Sequence, residues 1–359
     1  MEPWFSIEEK TAVASYLDTN GWFTEFEKTN ELEKIIASFT GAKHCILVNN
    51  GTVSLTLAAI ALGIQSGDEV IVPNYTMIAT PNSIKMLGAQ PVFVDVEIES
   101  LCMNFDLLKE AITPKTKAII LVLANGRYPL VNIEKFIKFA EENNLALIED
   151  AAQSLGSYYP NGKHQGTAGK VGSFSFSVPK IISTGQGGAL VTNDDEIALK
   201  IRKLKDFGRE RGGIDIHDTI GFNFKFTEFQ AVIGIEQMKK LEFRIKRKKE
   251  ILRRYINNLQ SCDKIKIWDS NDNHTTPWFI DSLANSRDLL INFLFDNGVG
   301  TRKMYPPINK QKAYDIKGKH IISEQVGANG LWLPSASQLG DEEIDYICSL
   351  ILKFYKTTN

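Results

Sequence analysis

Residues 118–150, AIILVLANGRYPLVNIEKFIKFAEENNLALIED, hold one unit of an alternation that runs through the first half of the chain. Ala118 to Leu123 is a continuous apolar run, Ile133 to Asn143 spaces its apolar residues by three and four, and Leu145 to Ile148 is apolar again. An unbroken apolar run suits a strand buried on both faces of a parallel sheet, and the three-four spacing suits a helix with one buried side. Outward from this unit the pattern repeats. Cys45 to Val48, Glu69 to Val72 and Pro91 to Val94 come before it, Gly172 to Ser177 and Ala189 to Thr192 after it, and Val53 to Leu62 carries another helical spacing. The series predicts α/β architecture with a mostly parallel sheet.

Beyond it, one long helical pattern is expected from Thr227 to about Asn258, ending in the basic run Arg244 to Lys249, which reads as a solvated helix face. Strand-like pieces follow at Asp263 to Trp268 and Pro277 to Ser282, with helices near Ser286 to Asn297 and Asp341 to Lys356. These predict a smaller C-terminal α/β domain over residues 243–359, behind a large domain over 1–242 that includes an N-terminal arm. The 41 Lys and Arg against 43 Asp and Glu leave a net charge of −2, which provides no electrostatic footprint for nucleic acid or a membrane. A small molecule or another subunit is the expected partner. Cys45, Cys102, Cys262 and Cys348 are scattered without a C-x-x-C pair, so neither zinc nor a disulfide framework is expected. No apolar run approaches the roughly 18 residues of a membrane span, and the start MEPWFSIEEK lacks a secretion pattern, so the chain reads as cytoplasmic.

Ligands of open α/β sheets gather beyond the carboxyl ends of the strands. The residues found there are Asn49-Asn50-Gly51-Thr52, Asn74-Tyr75-Thr76-Met77, Glu149-Asp150 and Val178-Pro179-Lys180. Asn50-Gly51-Thr52 closes a strand and opens a helix, so its N–H groups and the Thr52 hydroxyl would face an anion; the same tripeptide also suits an ordinary helix cap. Asp150 ends a mid-sheet strand, where an unpaired charge is costly. A protonated pyridine nitrogen would answer it, because the carboxylate keeps such a ring electron-withdrawing; capping the next helix is the alternative. Lys180 follows the alternating Phe174 to Val178 and precedes the flexible Thr184-Gly185-Gln186-Gly187-Gly188. Partial burial would lower its pKa enough for bonding to an aldehyde. An anion cradle, a carboxylate and a lysine at three strand ends together specify pyridoxal 5'-phosphate.

Here the chain resembles the DegT/DnrJ/EryC1/StrS family of sugar aminotransferases, within the fold-type I, aspartate aminotransferase-like enzymes. The resemblance runs from about Gly21 to the end. It is carried by Trp22-Phe23-Thr24, Asn50-Gly51-Thr52, Gly67 to Pro73, Glu149-Asp150-Ala151-Ala152-Gln153, the Ser175 to Lys180 spacing and Gly221 to Thr227. It implies a seven-stranded large-domain sheet, Lys180 joined to the cofactor, Asp150 on the pyridine nitrogen and Gln153 over the cofactor hydroxyl. Gly51, Thr52 and Ser175 would bind the phosphate, and Asn223 would reach the phosphate of a neighbouring subunit, which implies a homodimer with shared sites. The implied reaction takes the amino group of L-glutamate, passes through pyridoxamine 5'-phosphate, and delivers it to a nucleotide-linked keto-deoxy sugar for capsule or lipopolysaccharide synthesis.

The sequence departs from that family mainly on the substrate side. Met77 stands where a ring-stacking aromatic is usual, with Tyr75 pointing at the site and Met77 in the core as the alternative. Leu123 to Arg127 and Asn309, beyond Tyr305, replace customary residues, and Lys225 replaces an arginine. Arg127, Arg209, Arg211 and Arg302 are candidates for gripping substrate phosphates, because guanidinium forks match phosphate oxygens. Thr24, Lys225, Tyr305 and Asn309 complete the expected substrate side. The changes leave room for a small phosphorylated ketone such as dihydroxyacetone phosphate as acceptor. A sugar dehydratase fits less well because Lys180 is retained, and a non-catalytic regulatory role is a further alternative.

Overall fold

The computed structural model describes residues 4–357 apart from 270–272, 315 and 317. Helices α1 (Ile7–Asp18) and α2 (Glu27–Thr40) lead into the first half, which alternates as the sequence predicts. Its first elements are β1 (His44–Val48), α3 (Gly51–Ala61), β2 (Glu69–Pro73), α4 (Ala79–Lys85) and β3 (Gln90–Val94). After α5 (Phe105–Glu110) come β4 (Thr116–Val122), α6 (Ile133–Glu142) and β5 (Ala146–Asp150). Two more strands, β6 (Val171–Ser175) and β7 (Gly188–Thr192), and helix α7 (Asp195–Lys205) complete it.

These strands form one sheet in the order β1-β7-β6-β5-β4-β2-β3. All run one way except β7, which pairs antiparallel with both β1 and β6. The apolar runs have the reason anticipated for them: both faces are covered. On one face Leu47, Leu121 and Leu147 pack with Leu32 and Ile36 of α2 and Phe136 of α6. On the other, Ile46, Ile120 and Ile148 pack with Leu57 and Ala58 of α3 and Ile201 of α7.

The long helix expected from Thr227 is broken into α8 (Glu228–Lys239) and α9 (Leu241–Leu259). Their apolar residues face different partners. Ala231, Ile235 and Met238 of α8 join the core of the first sheet, whereas Ile251, Leu252, Tyr255 and Leu259 of α9 join a separate one. One straight rod cannot serve both cores, and the chain bends at Lys240, whose ammonium meets Glu9 at 2.7 Å. The remainder is β8 (Ile265–Ile267), β9 (Ile280–Ala284), α10 (Arg287–Asp296), β10 (Arg302–Lys303), α11 (Ile321–Asn329), β11 (Gly330–Leu333) and α12 (Asp341–Thr357). Its four strands form an antiparallel sheet, β10-β11-β9-β8.

A fourth apolar cluster joins the two sheets, with Tyr75, Val96 and Ala124 on one side and Trp278, Phe279 and Trp332 on the other. Among the described residues no helix is long and apolar enough to cross a membrane. The four cysteines are unpaired, and three of them are buried.

Candidate active site

Parallel pairing brings the carboxyl ends of β1, β2, β5 and β6 to one edge of the large sheet. That edge gathers Asn50, Thr76, Asp150 and Ser175, and β7 starts there, with Gly188 opposite Val48 and Ser175. Neighbouring stretches of chain approach each other closely at this point. A side chain on Gly51 would lie 2.9 Å from Cβ of Ser175, and one on Gly188 would lie 2.5 Å from the carbonyl oxygen of Asn50. Asn50 caps α3 by accepting from the N–H of Val53 at 2.9 Å. The first N–H groups of a helix have no intrahelical acceptor, so those of Gly51 and Thr52 open beside the Ser175 hydroxyl at the positive helix end. This is a cradle for an anion that only small residues permit.

Asp150 is 6% exposed. Burial pushes its carboxyl up, while donors act against that: the Thr80 hydroxyl at 2.7 Å and the Ala152 N–H at 3.2 Å. Thr80 is in turn bonded to the Thr76 hydroxyl at 2.9 Å. Each carboxylate oxygen carries one donor and keeps lone-pair capacity for a cationic N–H.

Past β6 the chain turns, with the Lys180 N–H donating to the Ser177 carbonyl at 3.0 Å. Burial lowers the Lys180 amine to about 8, against the opposing field of Asp150. Its Nζ lies 4.1 Å from the ring centroid of Trp278. A half-buried amine titrating at about 8, with a buried carboxylate and an anion cradle close by, can bond an aldehyde, hold a ring cation and move protons. These residues therefore fit pyridoxal 5'-phosphate at its aldehyde, ring nitrogen and phosphate.

The other expected positions fall into separate settings. Gln153 accepts from the Asn125 N–H at 2.6 Å. Met77 is 43% exposed, so it is not core, while Tyr75 lies inside the cluster between the sheets. Tyr305 stands near Asp150, and burial pushes its phenol up to about 12. Asn309 donates its N–H to Asn74 Oδ1 and accepts from Asn74 Nδ2, both at 3.0 Å, at the end of β2.

Arg127 is buried and bonded to Asp281 at 2.6 Å and to the Ser100 carbonyl at 2.8 Å. Its guanidinium is thus engaged within the chain. Arg302 is exposed and lies over Trp332, 5.3 Å from the ring centroid, at the rim of a cavity of about 590 Å³ that Pro179 also lines. Thr24, Arg211 and Asn223 are exposed, and Thr24 bridges to Thr227. Lys225 and Arg209 both pair with Asp206, at 2.7 and 2.8 Å.

Two residues at the site escaped the sequence reading, Thr80 and Trp278. Thr80 lies one helical turn beyond Thr76, a spacing that could have been noticed. Trp278 lies just before β9 of the second sheet, and nothing in its neighbourhood of sequence marks it.

Residues 6–352 match the model of the DegT/DnrJ/EryC1/StrS aminotransferase family. The chain is 38% identical over 361 residues to the GDP-perosamine synthase of Escherichia coli O157:H7, covering 99% of this chain and 97% of that one. Its fold superposes on a DegT DnrJ EryC1 StrS aminotransferase from Brucella abortus with a TM-score of 0.90 and 29% identity, covering 97% of this chain and 95% of that one. The PLP-form of Spr1654 from Streptococcus pneumoniae aligns with a TM-score of 0.91 and 25% identity, over 100% and 98% of the two chains. The protein belongs to the DegT/DnrJ/EryC1/StrS aminotransferase family and is a pyridoxal 5'-phosphate-dependent aminotransferase.

Proposed function

We propose that the chain transfers the amino group of L-glutamate to the keto carbon of a GDP-linked 4-keto-6-deoxy sugar, in the synthesis of a bacterial surface polysaccharide. The observation that carries the chemistry is a half-buried Lys180 amine lying within the field of the buried Asp150 carboxylate. The acceptor class rests on the 38% identity to a GDP-perosamine synthase along almost the whole chain.

Bound pyridoxal phosphate supplies an aldehyde for the amino group and a ring that draws electrons from the substrate's α-carbon. Gly51, Thr52 and Ser175 hold the phosphate oxygens at the start of α3. Asp150, supported by Thr80, keeps the ring nitrogen protonated. Gln153 would lie over the ring hydroxyl, and Met77 would offer its thioether to the ring. Lys180 would hold the cofactor at its aldehyde, and its amine, once free, would serve as the base that takes the proton from the substrate's α-carbon and as the acid that gives it back. An amine titrating at about 8 is sufficiently neutral near pH 7 to act as base, and strong enough as an acid to give the proton back.

Asn223, Lys225, Arg211 and Thr24 would act across a subunit boundary. Trp22 is 66% and Ile220 87% exposed, and Phe23, Phe26 and Phe222 add further exposed apolar surface. A second copy covering it would form a homodimer with shared sites. Within each copy we divide the chain at the start of α9, with residues 1–242 as the large domain and 243–359 as the small one. Arg302, Tyr305 and Asn309 then face the acceptor from the small domain.

Borohydride reduction followed by peptide mapping is expected to place a pyridoxyl label on Lys180. Incubating the enzyme with glutamate and the GDP-linked keto sugar should release 2-oxoglutarate. Release with dihydroxyacetone phosphate, and none with the sugar, would reassign the acceptor. An unlabelled Lys180 would overturn the site.

A further inference from the structure

The amine of Lys180 meets an aromatic face. The Trp278 ring centroid lies 4.1 Å from Nζ, whereas Asp150 acts on the amine through space alone. The indole N–H of Trp278 donates at 2.6 Å to the carbonyl of Pro179, the residue just before the lysine. Ring and lysine backbone are therefore fastened to each other across the joint between the two sheets.

The tryptophan is also fixed from behind. Lys248 of α9, itself buried, donates to the Trp278 carbonyl at 2.7 Å and to the Ser335 carbonyl at 2.5 Å. The adjoining Phe279 is clamped by Asn125 through bonds of 2.6 and 3.0 Å. Phe279 and Trp332 pack on the indole with centroids 3.8 and 5.8 Å away. A ring held on so many sides cannot follow a moving lysine, so contact persists only where the lysine comes to the ring.

An ammonium in a dry pocket needs a negative partner, and the face of an indole provides one without offering a base that would take its proton. We propose that Trp278 is a positioning residue whose ring face receives the ammonium that Lys180 becomes on taking the substrate's α-proton, and holds it for return on the same side. In that step the C–H bond breaks, the N–H bond forms on Lys180, and the electron pair left on carbon is drawn into the cofactor ring. The proposal rests on Lys180 being the cofactor lysine. The charged groups around it are Asp150 and, lining one small cavity with Lys180, Lys248 and Arg244.

The test weakens the ring's negative face without changing its shape. Mono-, di- and trifluorinated tryptophans are introduced at position 278 alone, and the holoenzyme is converted to its pyridoxamine form with glutamate. The pH profile of Lys180 acetylation is then read by peptide mass spectrometry. Its midpoint is expected to fall stepwise, by about one unit across the series. The rate of the return half-reaction with 2-oxoglutarate should fall in parallel, by up to about tenfold. A midpoint that stays fixed in folded, cofactor-loaded protein overturns the proposal. Should the fluorinated indoles not give folded protein, phenylalanine and pentafluorophenylalanine at 278 make the same comparison, and equal midpoints for that pair overturn it too. Borohydride labelling of position 180 is a separate readout, so a misassigned lysine is distinguished from an inert tryptophan.

Discussion

A buried carboxylate stays ionised only while donors offset its lost hydration. At Asp150 the side-chain donor is Thr80, and its removal should push the carboxyl, already raised by burial, further up. In Thr80→Val more of the Asp150 population would be protonated at neutral pH and so unable to hold a ring cation. The half-reaction with glutamate is expected to slow by about tenfold, corresponding to one lost charge-assisted hydrogen bond. Stopped-flow absorbance measures this directly, and Thr80→Ser should restore the rate because it keeps the hydroxyl. A Val variant reacting at the parent rate would remove Thr80 from the site. Asp150, Gly51 and Lys180 were legible in the sequence because each closes a recognisable apolar run. Thr80 was passed over, since its spacing of four from Thr76 is a faint signal inside a short helix. Arg127 was visible as an arginine, but its partner Asp281 lies 154 residues away, and only the fold reveals that the two are bonded.

At the scale of elements, α2 begins without a capping side chain of its own, because Phe26 occupies the N-cap. Glu228 of α8 caps it instead. One carboxylate oxygen accepts from the Phe26 N–H, the Thr29 N–H and the Thr29 hydroxyl at 2.8, 2.8 and 2.6 Å, and the other accepts from the Lys28 N–H at 2.7 Å. A negative charge at that helix end also complements the macrodipole. Glu228→Gln replaces one accepting oxygen with an amide that faces N–H donors. It should cost about 2–3 kcal/mol, seen as a lower urea midpoint with an unchanged slope. A midpoint equal to the parent's would mean that water caps α2 equally well. Most strands of the large sheet were readable because burial on both faces leaves an apolar run, whereas β6, Val-Gly-Ser-Phe-Ser, was readable by alternation. The start of α2 and the break at Lys240 were not, because each is decided by an element remote in sequence: Glu228 for the first, and the division of α8 and α9 between two cores for the second.

Across the whole molecule, a buried ion pair joins the sheets. Arg127 reaches Asp281 at 2.6 Å, and the Trp332 indole N–H donates to the other Asp281 oxygen at 2.7 Å. Arg127→Met would leave that carboxylate buried with its charge unanswered, at a cost of about 3–5 kcal/mol, measurable by denaturant unfolding. Adding Asp281→Leu should recover most of the loss, since removing both partners is far cheaper than stranding one. A single variant as stable as the parent but weak in substrate binding would return Arg127 to the phosphate-gripping role expected from sequence. The proposed assembly of two copies makes a demand of a different kind. Ile220 and Phe222, both exposed, shortly precede the exposed Asn223, so the surface expected to bury against the partner also carries the residue expected in the partner's site. Ile220→Asp with Phe222→Asp puts two charges into that contact, where neither could be hydrated or paired. Sedimentation should then show a monomer in place of a dimer, with pyridoxal phosphate lost on dialysis because each phosphate lacks its donor from across the boundary. Separation of the copies with full cofactor retention would show that each site is complete within one chain.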